Sequence, residues 1–151
     1  MSRLLIALHR LAHALRQWGV PVLPVLIACV NRFVFGCWIG PGARLGRRIS
    51  LGYGGMGIVI HDKAVVGDDV RIGTQVVIGG RSKHPDVPVI GDRCVIATGA
   101  KLLGPLRIGA ESVVGANAVV VKDVAPRTVV GGVPARVLRT DIDIRDYHDG
   151  L

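Results

Sequence analysis

Residues 58–79 read IVIHDKAVVGDDVRIGTQVVIG, and in that stretch an aliphatic residue returns at every sixth position: Ile60, Val66, Ile72 and Ile78. The comb extends in both directions, to Ile39, Leu45 and Leu51 before it and to Ile90, Ile96, Leu102, Ile108, Val114 and Val120 after it. A second comb stands two residues earlier, at Ala43, Ala64, Val70, Val76, Cys94, Ala100, Ser112 and Ala118, and its members are mostly small. Neither a helix nor an ordinary strand has this period; a solenoid of short strands and turns does. Each hexad is expected to supply one strand, with the tooth and the small residue pointing inward. Gly follows the tooth at 40, 46, 52, 67, 73, 79, 91, 109 and 115, and is expected there to permit the turn's backbone. Three hexads per coil give roughly five triangular coils.

Two irregularities interrupt the comb. Between Leu51 and Ile60 there are three extra residues, inside the string GYGGMGIVIH (52–61), and between Ile78 and Ile90 the hexad position falls on His84, inside RSKHPDVPV (81–89). An unpaired histidine is costly to bury, and the string around this one holds two prolines, Pro85 and Pro88, so it reads as a loop leaving the prism. A regular prism has flat sides and no deep pocket. A functional site is therefore expected where a loop leaves the coil, or where coils of neighbouring copies face each other.

Half of the 151 residues are apolar, aromatic residues make up only 4%, and Gly numbers 21, which suits a tightly coiled core of Val, Ile, Leu and Ala. The formal charge of +8 would attract nucleic acid, an anionic membrane or a phosphorylated small molecule. The basic residues are dispersed, and no nucleic-acid-binding signature accompanies them, so no nucleic acid is expected as partner. Cys29, Cys37 and Cys94 are widely spaced, with no CxxC, in a chain with no cleavable signal pattern; reduced thiols in the cytoplasm are expected.

From Ser2 to Trp18, Leu4, Leu5, Leu8, Leu11, Ala12 and Leu15 recur at helical spacing, with Ser2 placed as N-cap and the helix ending near Gly19. The apolar run from Gly19 to Val30 is too short to span a bilayer and reads as a buried or interfacial helix. The chain thus divides into a helical segment over 1–36, a β-helix over 37–138 and a tail over 139–151.

The strings GIVIHDKAVVGDDVRI, VIGDRCVIATGAKLLGPLRIG, VGANAVVVKDVAP and VVGGVPARVL carry a resemblance to the hexapeptide-repeat acyltransferases, covering Ile39 to Leu138. The nearest likeness is to serine O-acetyltransferases and their small relatives from surface-polysaccharide gene clusters. The resemblance implies an all-β solenoid, a left-handed parallel β-helix, assembled as a homotrimer with acetyl-CoA between subunits and an acetyl group transferred to a hydroxyl of serine or of a sugar. It implies His84 as general base, with His61 the second candidate because it replaces a turn Gly beside the other irregularity. It places CoA along Ala97, Gly99 and Gly115, with the GGVPAR turn that begins at Gly131 near the pantetheine or adenine end, and Lys122, Arg136 and Arg139 on the phosphates. Tyr53 and Arg81, one in each irregular string, are the expected acceptor contacts. Serine acetyltransferases also carry an acting Asp and His pair; the matching positions here are Trp38 and Tyr53, or Gly54.

Cys94 stands on the inward comb and is expected to pack rather than to carry an acyl group. No metal is expected: a zinc site needs three converging histidines, and the repeats hold only His61 and His84. His9 and His13, one helical turn apart, are expected to be packing or surface residues. The tail ends Asp149, Gly150, Leu151, similar to the ending with which serine acetyltransferases enter cysteine synthase, and this implies cysteine synthase as a partner. The rival class is a non-catalytic scaffold docked on an enzyme complex or, through the apolar N-terminus with Arg3, Arg10, Arg16 and Arg32, in peripheral contact with a membrane.

Overall fold

The computed structural model describes residues 1–148 and is a left-handed parallel β-helix capped by two helices. Asp149, Gly150 and Leu151, on which the cysteine synthase expectation rests, lie outside the described residues. The first two coils supply β1 (Trp38–Ile39), β2 (Arg44–Leu45), β3 (Ser50–Leu51), β4 (Val59–Ile60), β5 (Val65–Val66) and β6 (Arg71–Ile72). The next two supply β7 (Val77–Gly79), β8 (Val89–Ile90), β9 (Val95–Ile96), β10 (Lys101–Leu103), β11 (Arg107–Ile108) and β12 (Val113–Val114). A fifth begins with β13 (Val119–Val120), continues through a single bridge of Val124 onto Ile108, and ends with β14 (Val129–Gly131). The sides stack as β1-β4-β7-β10-β13, β2-β5-β8-β11 and β3-β6-β9-β12-β14, all parallel.

Both combs face inward. Every tooth from Ile60 to Val120 is buried, and the whole second comb from Ala43 to Ala118 is fully buried; only Leu45 in the first coil stays half-exposed. Ser112, the one polar member, donates its hydroxyl to Ala125 O at 2.9 Å and accepts from Thr128 N–H at 3.3 Å, so its burial leaves nothing unpaired.

The glycines after the teeth have a different cause from the one the sequence suggested. None of them has positive φ. The left-handed turn residues stand three positions before a tooth and are mostly not glycine: Arg48, Asp69, Arg93, Glu111 and Arg127 lead into the third side, and Gln75 and Asn117 lead into the first. Asp69, Gln75, Arg93, Glu111, Asn117 and Arg127 each donate their N–H to a corner carbonyl of the coil before, and this pairing holds the strained backbone. Gly40, Gly46, Gly67, Gly73, Gly91 and Gly109 are needed because the coils touch there, whereas a Cβ on Gly52 or Gly79 would meet nothing closer than 3.5 Å. A Cβ on Gly40 would lie 2.5 Å from Asp62 Cα, and one on Gly73 2.5 Å from Thr98 N. Gly73→Ala is therefore expected to cost about 1–3 kcal/mol in urea unfolding. Gly80→Ala, whose Cβ would first meet Val87 Cγ1 at 3.9 Å, should unfold like the parent.

Helix α1 (Ser2–Gln17) closes the open N-terminal end of the prism, and Leu5 and Ile6 join the core of the coils. Met1 rather than Ser2 occupies the N-cap, with no side-chain cap, so Ser2 is the first helical residue. His9 Nε2–H donates to Ala43 O at 3.1 Å and His13 Nδ1–H to Pro41 O at 3.0 Å, pinning the helix to the first turn. Helix α2 (Leu23–Phe35) begins with Pro24 in its first turn and ends on Gly36, whose φ of 64° stops it. At the other end β15 (Arg136–Arg139) pairs antiparallel with β14. The tail then turns back over the third side, where Ile142 and Ile144 pack on Val113 and Val129.

Candidate functional site

The two irregular strings leave the prism at different corners of the first side. The extra residues at Gly52–Gly55 form a 3-10 turn at the corner entering β4, and there Tyr53 is 90% exposed with φ 46°. The loop of residues 80–88 leaves at the corner after β7, where Arg81 and His84 form an antiparallel bridge and Lys83 takes φ 68°. His61 stands at that same corner one coil earlier, because Ile60 pairs with Ile78 and His61 N–H donates to Ile78 O at 2.8 Å. The fold therefore brings His61 and the His84 loop together and leaves Tyr53 across the width of the side.

The two histidines differ in what their rings already do. His61 Nδ1 accepts the Lys63 N–H at 3.1 Å. A neutral imidazole has one acceptor nitrogen, so His61 has its lone pair engaged and presents only an N–H outward. Among the described residues the exposed His84 ring has no hydrogen bond, and its acceptor nitrogen is open to a substrate proton. At the foot of the loop an open groove of about 450 Å³ is lined by Lys63, Pro85, Asp86, Val87, Leu106 and Arg107. Arg81 lays its stem over Gly104 of the next coil, where a Cβ would meet Arg81 Cβ at 3.0 Å.

Ala97, Gly115 and Gly131 stack at the opposite corner of the first side, and Gly99 occupies its left-handed turn position. Their amides are committed within the prism: Ala97 N–H donates to Val114 O, Gly99 N–H to Thr74 O and Gly115 N–H to Val130 O, all at 2.8–2.9 Å. What they offer a ligand is space and the second lone pair of a carbonyl. Sequence reasoning missed Lys101, whose Nζ donates to Gln75 O at 2.7 Å and Gly99 O at 2.8 Å and so lies across this corner. A cation at an outward strand position one residue before a tooth was the signal for it.

Lys122 and Arg136 share a mostly apolar pocket of about 310 Å³ at the C-terminal end of the prism, with Val120, Val130, Pro134 and Ala135. Arg139 lies at the far end of β15, opposite Val129, and does not line that pocket. Cys94 is fully buried, and burial pushes its thiol up to about 11, so it is a packing residue as its place on the comb implied. Trp38 is half-buried and Tyr53 exposed, and as an indole and a phenol they supply neither a carboxylate nor an imidazole.

This architecture and these motifs have relatives. The family described as bacterial transferase hexapeptide (six repeats) matches residues 88–122. A serine acetyltransferase of Mycobacterium tuberculosis is 47% identical over 86% of this chain and 57% of its own length. One from Bacillus subtilis is 39% identical over 93% of this chain and 69% of its own. The structure of a Brucella abortus serine acetyltransferase in complex with coenzyme A superposes with a TM-score of 0.87 at 35% identity, over 91% of this chain and 56% of that one. The chain spans only a little over half the length of the M. tuberculosis protein. With identity of 39% over 93% of this chain and 69% of the B. subtilis protein, the chain belongs to the serine acetyltransferase family.

Proposed function

We propose that this chain moves the acetyl group of acetyl-CoA to the hydroxyl of serine, with His84 as general base, and that it works as a homotrimer in the cytoplasm. One observation carries the reading of the site. The loop histidine and the small-residue corner stand at opposite edges of one side, so a single copy does not join them, whereas two copies packed edge to edge would. Between those edges Trp38, Val59, Val77 and Val119 point outward and remain partly exposed, with Lys101 between the last two, a mostly apolar strip suited to a subunit contact. Lys122 and Arg136 supply the charge that a CoA phosphate needs.

In the reaction His84 takes the hydroxyl proton as that oxygen attacks the thioester carbonyl. The tetrahedral oxyanion then collapses, the C–S bond breaks, and the leaving thiolate recovers the proton from the imidazolium. A nucleophile of the enzyme's own is not required. A second acceptor, a sugar hydroxyl in surface polysaccharide synthesis, is favoured by Trp38 and Tyr53 standing where the resemblance puts an Asp and a His. Release of CoA should be followed with serine and with a panel of nucleotide sugars, on protein whose mass is measured by light scattering. Turnover with serine on a trimer is the expected result. Turnover with a sugar alone transfers the acceptor, calorimetry showing no acetyl-CoA binding leaves a scaffold, and an active monomer overturns the shared site.

A further inference from the structure

The charge of this protein is concentrated at one end. Residues 1–61 contain seven arginines and no Asp or Glu, so they carry +7, while residues 62–151 hold the other 12 cations against all 11 acids and carry +1, which together make the +8 of the chain. Arg16, Arg47 and Arg48 pair with Asp62, Asp68 and Asp69, but Arg3, Arg10 and Arg32 form no ion pair among the described residues.

The same end carries an apolar face. Helix α2 buries Pro24, Ala28 and Asn31 toward the prism and α1, and on its other side leaves Val22, Leu26, Val30 and Phe33 exposed, Phe33 by 88%. Trp18, at the tip of the helical hairpin, is 79% exposed. Within residues 23–35 the only charge is Arg32. No helix is long and apolar enough to cross a membrane, and α2 has 13 residues. A short helix with an apolar outer face, aromatic side chains and the unpaired cations Arg3, Arg10 and Arg32 around it has the chemistry of one that lies in the headgroup region of an anionic bilayer. A second copy fits the face less well, because pairing two such caps sets Arg3, Arg10 and Arg32 against their equivalents, and helices α1 and α2 bring no acid of their own to pair with them.

We infer that the α1–α2 cap is a peripheral docking surface for an anionic membrane, with Leu26, Val30 and Phe33 inserted and Arg3, Arg10 and Arg32 at the lipid phosphates. This goes beyond acetyl transfer and is read without any acceptor, so failure of the catalytic proposal leaves it standing. The test is co-flotation of the full chain with vesicles of phosphatidylcholine and phosphatidylglycerol, and with phosphatidylcholine alone. Binding to the anionic vesicles only, weakened by salt, is expected. Phe33→Asp and Leu26→Asp should each reduce it at least about tenfold, and Arg3→Gln and Arg32→Gln about fivefold each. Circular dichroism should be unchanged in all four, since these side chains face solvent. No flotation with anionic vesicles overturns the inference, as does binding that Phe33→Asp leaves intact. A lipid-free particle of twice the mass of the Phe33→Asp variant also overturns it and assigns the face to a second copy.

Discussion

His84→Ala is expected to lower kcat by about two to four orders of magnitude, the range over which a positioned general base contributes. The affinity for acetyl-CoA should change little, because the corner of Ala97, Gly99 and Gly115 and the pocket of Lys122 and Arg136 are built without the loop. The expectation rests on the state of the rings as much as on the loop. His61 shares the corner, but its Nδ1 already accepts a backbone N–H, and accepting a substrate proton there would break that bond. His61→Ala should accordingly cost less than about tenfold in kcat. Steady-state CoA release for the two variants separates them. Near-normal turnover of His84→Ala together with a collapse in His61→Ala would move the base to His61 and require the Lys63 turn to rearrange during catalysis.

The coils were legible in the sequence because their cause is periodic. Burial of Ile60, Ile72, Ile78 and the other teeth repeats with the backbone, and so does the demand for a small residue two positions earlier. The two departures from the coil were legible for the same reason, since an interruption shows only against a regular comb. The turn chemistry was not. Left-handed backbone occurs at Arg48, Asp69, Gln75, Glu111 and Asn117, chemically unlike residues that share only a position before the tooth. Most of the glycines that looked like turn residues answer to contact between coils, a relation between residues one coil apart in the chain, such as Gly40 with Asp62 and Gly109 with Pro126. The hand of the helix came from resemblance and not from spacing. The candidate bases were readable as two histidines beside two irregularities, but preferring one of them needed the hydrogen bond at His61. The placing of the candidate residues at opposite edges of one side emerged only when the strands were placed in register.

The histidines of α1 looked incidental in the sequence, yet one of them is expected to set the acid stability of the protein. His9 is 2% exposed, and its pKa falls from 6.5 to about 4. Burial is the largest cause; His13 and Arg10 push the same way, while the bond to Ala43 O and the charge of Asp62 oppose them. The folded protein thus holds His9 neutral where the unfolded chain protonates it. Between pH 6.5 and about 4 the unfolded state binds the extra proton, so stability rises with pH across that window. The contribution is complete above the unfolded pKa and is lost as pH falls toward the folded one, amounting to about 3 kcal/mol at pH 4. Asp68, held below the usual carboxylate range by the Arg47 backbone N–H and then its guanidinium, and Asp69 and Asp143, held low by the side chains of Arg48 and Arg145, also weaken the fold in acid, so the parent curve alone does not isolate His9. His9→Gln does, because a glutamine can donate to Ala43 O and has no proton to gain. Urea unfolding at pH 7.5 and pH 4 should show the parent losing about 3 kcal/mol more than His9→Gln. Parallel losses in the two proteins would mean that His9 accepts its proton within the fold, and that the contact of α1 with the first turn opens in acid without unfolding the coils beneath it.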